Sequence, residues 1–197
     1  MEEASAQALK EWGAIEQALA AGEIAVLVRK GGLWERRDDF EMEHRQFWIF
    51  PTLYHQNPLE LRSELAWALD AAEAADPGGA FVRLELFAEV TDAFRIENLD
   101  AALALTDLQA LTPDTIENRF HYRYRPYVHA LLLRVYRRNA PHVIPNTLGY
   151  EGCVSWVELD EELPVGPATP VLDDERFNAF RDLVKRRLAA HPGVVEV

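Results

Sequence analysis

One cysteine, Cys153, and three lysines, Lys10, Lys30 and Lys185, occur in the 197 residues. A lone thiol closes no disulfide within the chain, so a reducing compartment is expected. With lysine scarce, positive charge rests on 17 arginines, a bias that a GC-rich genome also produces. Uncharged stretches such as Pro126 to Leu133 fall far short of the roughly 20 apolar residues that span a bilayer. The chain opens on Glu2 and Glu3 where a secretory leader carries positive charge. No membrane association and a cytoplasmic location are the expectation. HExxH, paired CxxC and P-loop motifs are all missing, so no metal and no cofactor is predicted.

What is present is the composition of a folded globular protein, with 49% hydrophobic and 10% aromatic residues. A chain of this length buries a core without staples, and one domain over residues 1–197 is expected.

The element pattern is mixed. Leu9, Trp12, Ile15 and Leu19 fall at spacings of three and four, predicting an N-terminal helix over Ser5–Ala21 that Gly22 ends. Ile24–Arg29 and Gln46–Phe50 read as strands, joined by a charged excursion, Leu33–Arg45, that is either a hairpin arm or a loop. Asn57-Pro58-Leu59-Glu60 has the form of a cap, predicting a helix to about Ala75. Val82 to Val90 alternates with period two, as a half-buried strand does. Asn98 and Thr112-Pro113 begin short helical segments, Tyr122–Tyr136 reads as a strand, and Val154–Leu159 as the last one. Residues 164–171 form a Pro-rich connector to a C-terminal helix over 173–190, whose acidic start and basic end match the helix dipole. The fold class is therefore α+β, a mixed or mostly antiparallel sheet with packed helices at both ends of the chain.

The net charge of -13, from 33 acidic and 20 basic residues, repels nucleic acid unless the charge is segregated. It is. Residues 118–150 contain no acid but six arginines, Arg119, Arg123, Arg125, Arg134, Arg137 and Arg138, with His121, His129 and His142. If Phe120–Tyr127 is extended, its arginines and tyrosines fall on opposite strand faces. Arginine holds phosphate bidentately and tyrosine stacks on bases, so this is the composition of a single-strand groove. The competing expectation is that these arginines pair with carboxylates elsewhere.

A second cluster surrounds the aromatic strand, with His44 before it and Thr52, His55 and Gln56 at its exit. Histidine titrates near neutral pH, so His44 and His55 are the candidate catalytic acid/bases. Val28-Arg29-Lys30-Gly31-Gly32 joins two cations to two glycines, a turn that lets backbone approach a phosphate. Cys153 heads an apolar strand, the setting of a buried inert thiol.

Four stretches taken together, Val28–Gly32, Phe47–Thr52 with His55-Gln56, Leu131–Arg137 and Tyr150-x-Gly152-Cys153-x-Ser155-Trp156, resemble the prokaryotic family called domain of unknown function 1802. Their order spans most of the chain. The resemblance implies no activity. It singles out Arg29, Lys30, His44, Thr52, His55, Gln56, Arg134, Tyr150, Cys153, Ser155 and Trp156 as positions to test together. The Leu33–Glu43 insert and the His121–Tyr127 run match no pattern of that family.

Three functional readings follow. The leading one is binding of a phosphate-bearing ligand or single-stranded nucleic acid through Arg29, Lys30, Thr52, Gln56, Arg123, Arg125 and Arg134. A hydrolase or phosphodiesterase using His44 or His55 with an arginine is the second. A protein-interaction module with aromatic and arginine anchors is the third.

Overall fold

The computed structural model describes residues 3–30, 44–152 and 154–197. Gly31, Gly32, the insert from Leu33 to Glu43 and Cys153 lie outside the described residues. The fold is α+β. Its strands are β1 (Ala4–Trp12), β2 (Val26–Arg29), β3 (Gln46–Thr52), β4 (Phe81–Ile96), β5 (Val128–Pro145), β6 (Trp156–Pro164), β7 (Ala168–Pro170) and β8 (Val194–Glu196). The helices are α1 (Gly13–Ala21), α2 (Trp67–Ala75), α3 (Leu99–Leu103), α4 (Pro113–His121) and α5 (Asp174–Ala189). The sheet is mixed and runs β2-β5-β4-β3-β1-β6, with β7 on β5 and β8 on β4. Among the described residues, only the β1–β3 pairing is parallel.

Both faces of the sheet centre are covered, so its strands bury successive residues on opposite sides. In β3, Phe47 and Ile49 join the main core with the helices, whereas Trp48 and Phe50 join a smaller core with Tyr150, Val157 and Leu159. In β4, Val82 and Leu84 face the smaller core, yet Leu86, Ala88 and Val90 face the larger one. The parity changes where the β4–β5 register slips between Leu84 and Leu86. Across the slip β4 advances two residues and β5 five, and this irregularity turns the following side chains of β4 to the other face.

Several sequence expectations are corrected. Only the second half of Ser5–Ala21 is helical, because residues 4–12 pair with β3 on one edge and β6 on the other. Pairing on both sides overrides the helix propensity of Ala, Leu, Lys and Glu. β2 and β3 are not neighbours, with β5 and β4 between them in the sheet, and the Leu33–Arg45 excursion that joins them lies, up to Glu43, outside the described residues. The Asn57 cap serves a 3-10 turn, Pro58–Glu60, and α2 begins only at Trp67. Tyr122–Tyr124 is a 3-10 turn and β5 starts at Val128, so the arginine-tyrosine run is not a strand face. Two short strands follow β6, and the Pro-rich connector contains one of them, β7. Among the described residues, no helix is long and apolar enough to cross a membrane.

Candidate nucleic-acid interface

Strand ends and loops at one end of the sheet enclose an open groove of about 1350 Å³. The ends of β1, β2 and β3 contribute Lys10, Glu11, Trp12, Arg29, Lys30, Phe50 and Thr52. The segment after β3 contributes Tyr54, His55, Asn57, Leu59 and Glu60. Helix α4 and the turn after it add Thr112, Asp114, Thr115, Asn118, Arg119 and Tyr122. The segment after β5 adds Asn146, Tyr150, Glu151, Gly152 and Val154.

Arg29 donates to Glu11 Oε2 at 2.7 Å, to the Lys10 carbonyl at 3.0 Å and to Ser155 Oγ at 3.1 Å. Lys10 donates to the carbonyls of Tyr150 and Gly152. These cations pin the 150–155 segment to the strand ends, which brings Arg29, Tyr150 and Ser155 together. Lys30 Nζ donates to the carbonyls of Phe120 (3.0 Å), Tyr127 (2.7 Å) and Arg125. It also lies 4.1 Å from the Tyr127 ring centroid, which the Arg95 guanidinium approaches at 4.4 Å. Burial, with Arg125 and Arg95 nearby, lowers the Lys30 pKa. Arg119 donates to the Val28 carbonyl at 2.9 Å, and burial lowers its pKa as well. Among the described residues, neither Lys30 nor Arg119 makes an ion pair. Carbonyl dipoles satisfy their donors, and the Glu11 and Glu60 carboxylates act on Arg119 without a close ion pair. Four carboxylates share the lining with Lys10, Arg29, Lys30 and Arg119: Glu11 is buried against Arg29, Glu60 accepts from Asn57 Nδ2 at 3.0 Å, and Asp114 and Glu151 are exposed.

Backbone strain gathers at the same place. The non-glycine residues with positive φ among the described residues are His55 (63°), Arg123 (58°) and Tyr124 (57°). L-residues pay for that conformation, and it persists where surrounding structure imposes it, often at functional sites. His55 packs on Tyr54 with centroids 3.9 Å apart, and Tyr54 is 71% exposed. Arg123 lies 5.2 Å from the Tyr122 ring, and Tyr124 is fully exposed.

The other predicted site residues divide. Thr52 lines the groove, with its Oγ1 accepting from the Tyr54 amide at 3.1 Å. Gln56 does not line it; its Oε1 accepts from the Ala14 amide at 2.7 Å and so caps α1. Arg134 is buried, held by Asp174 at 2.5 Å and by the Asp173 carbonyl, with its guanidinium 4.8 Å from the Phe177 ring. It fastens β5 to α5. Arg137 likewise pairs with Glu85 at 3.3 Å, so part of the arginine-rich segment answers to internal carboxylates. His44 packs edge-on against Trp156 at 5.0 Å and stands before β3, whereas His55 follows it. Seven strand residues separate them by roughly 20 Å, so the two do not act on one substrate atom. Among the described residues, no three His, Cys, Asp or Glu side chains gather as a metal site.

Sequence reasoning missed Lys10, Glu11, Arg119, Tyr54, Tyr122 and Asn146. Lys10 and Glu11 were hidden by a helix reading of a strand. The charge of Arg119 was visible, but its place on α4 facing the β2 end was not.

The model of the family described as "Domain of unknown function (DUF1802)" matches residues 8–182. No curated protein matches the chain. Among solved structures, the chain is similar to ASCH from Zymomonas mobilis, with 13% identity over 93% of each chain and a TM-score of 0.42. Two mutant forms of that protein align similarly, with 15% identity over 90% of this chain and 96% of the other, and 14% over 93% and 99%, at TM-scores of 0.42 and 0.41.

Proposed function

The chain belongs to the DUF1802 family, and we propose that it binds single-stranded nucleic acid in the groove at the β1–β2–β3 ends. The observation that carries this reading is the gathering of cations at one end of the sheet: Lys30 holds the backbone of the turn that carries exposed Arg123 and Arg125, and Lys10, Arg29 and Arg119 line the groove beside it. Since four carboxylates share the groove lining, phosphate is held at the exposed Arg123–Arg125 rim, a local feature in a chain whose overall charge of -13 repels it elsewhere.

Shape and rim fit a polymer. The groove exceeds the roughly 300–1,000 Å³ of pockets that enclose a small molecule. Exposed Tyr54 and Tyr122, held beside strained His55 and Arg123, offer ring faces for stacking. Arg123 and Arg125 stand exposed at the turn whose backbone Lys30 grips.

The test is fluorescence anisotropy of labelled single-stranded oligonucleotides against the full chain and a Tyr54→Ala/Tyr122→Ala variant. Stacking is worth about 1–3 kcal/mol per base, so affinity falls at least about tenfold. The exposed control Arg186→Ala, on α5, leaves it unchanged. Equal binding by wild type and the tyrosine variant overturns the reading.

A further inference from the structure

Beside the groove lies a second cavity of about 220 Å³ whose walls share Phe50, Thr52 and Asn146 with it. It is too small for a nucleotide chain and suits one ring system. Its other walls include Ala75 at the end of α2, together with Glu16 and Asp76.

Glu16 is 2% exposed, and among the described residues its Oε1 has no hydrogen-bond partner, while Oε2 accepts from Gln17 Nε2 at 3.0 Å. A buried carboxyl oxygen without a donor is costly, and it calls for one. The terminal torsion of a glutamate is soft, and Glu16 forms part of the cavity wall. Of the neighbouring polar groups, Arg83 donates to Glu85 Oε2 at 2.5 Å, and Asn146 and Asp76 offer acceptors. Asn146 uses its Nδ2 on the Gly79 carbonyl at 3.1 Å, which leaves Oδ1. Asp76 takes the Gly78 amide at 3.2 Å and keeps a second oxygen. An apolar slot edged with acceptors complements a flat ring that brings N–H donors.

We infer that this cavity receives one base of the bound strand and selects bases with an exocyclic amino group, read by the Glu16 carboxyl. Cytosine and adenine carry that group; uracil and thymine do not. The inference rests on the groove reading for the strand itself, but the cavity is tested without it.

The experiment has two arms on the full chain. In the first, saturation-transfer NMR measures free cytidine, adenosine and uridine, which have no phosphate. In the second, anisotropy measures short homopolymers of deoxycytidine, deoxyadenosine and thymidine. The expected result is that the amino-bearing bases bind at least about fivefold better in both arms. Glu16→Gln, which replaces an acceptor with a donor, reduces that ratio. Ala75→Phe, at a half-buried helix end, fills the slot and removes it, so the test survives if Glu16→Gln fails to fold. Oligomer binding with no base preference overturns the cavity and leaves the groove. Nucleoside discrimination without oligomer binding overturns the groove and leaves the cavity. A preference that persists in Ala75→Phe overturns the cavity, and no binding in either arm overturns both.

Discussion

Lys30 grips Tyr127 twice: its ammonium lies 4.1 Å from the ring centroid and donates to the same residue's carbonyl at 2.7 Å. The end of β2 is thereby tied to the residue before β5, and the 122–127 turn is held against the groove. Removing the ammonium frees three carbonyls at once.

Lys30→Met is therefore expected to cost on the order of 2 kcal/mol, since hydrogen bonds from a charged group contribute about 1.5–3 kcal/mol. At this size that lowers Tm by about 4–8 °C. A calorimetric melt checks it. An unchanged Tm contradicts the anchoring role.

Asp92 staples β4 to α5. It is 2% exposed, and burial alone would raise its pKa, but hydrogen bonds from Arg181, Lys185 and Thr91 outweigh burial and hold it at about 2. Lys185 also reaches Glu196 at 3.2 Å. The folded pKa lies below the ordinary value of 3.8, so the stabilisation is complete above that value and is lost as pH falls through about 2. Asp92→Asn is expected to lower Tm at pH 7 and to make progressively less difference on acidification. Denaturation midpoints of both proteins between pH 2 and 7 measure it, and a pH-independent difference contradicts it.

Glu16 behaves in the opposite sense. Burial, with Glu85 adding to it, raises its pKa from 4.5 to about 7, against the smaller opposing effects of Gln17, Arg83 and Arg137. A folded pKa above the unfolded one means that the contribution is full below about 4.5 and falls away as pH climbs through about 7. Glu16→Gln should flatten that decline, on the order of 3 kcal/mol across the interval. Parallel stability-versus-pH curves for the two proteins contradict the assignment.

Much of the architecture is readable from the chain, and the failures have physical causes. The period-two alternation of Val82–Val90 and the capped, dipole-matched α5 are local signals, and both elements form. The Ser5–Trp12 segment carries helix-forming residues at helical spacing, yet two strand partners distant in sequence claim its backbone. No local pattern reports such pairing. In the candidate site, the charge segregation of residues 118–150 was legible, and Arg29, Lys30, Thr52 and His55 do line one groove. Arg134 and Gln56 look the same in sequence, but Asp174 and Ala14 engage them. Which partner an arginine meets is decided by tertiary packing.

His55 offers a separation of stability from binding. At φ 63° a side chain is strained and glycine is not. His55→Gly is expected to melt at or slightly above the wild-type temperature while binding oligonucleotide more weakly. Loss of stability with intact affinity contradicts its place in the groove.

The most direct test of the account is the salt dependence of single-stranded oligonucleotide affinity for wild type and for Arg123→Ala/Arg125→Ala. Both arginines are exposed, so the double variant keeps the fold. The account predicts saturable binding whose logarithm falls linearly with the logarithm of salt, and a slope shallower by about 1 or more in the variant. Absence of binding at low salt, or an identical slope in the two proteins, contradicts it.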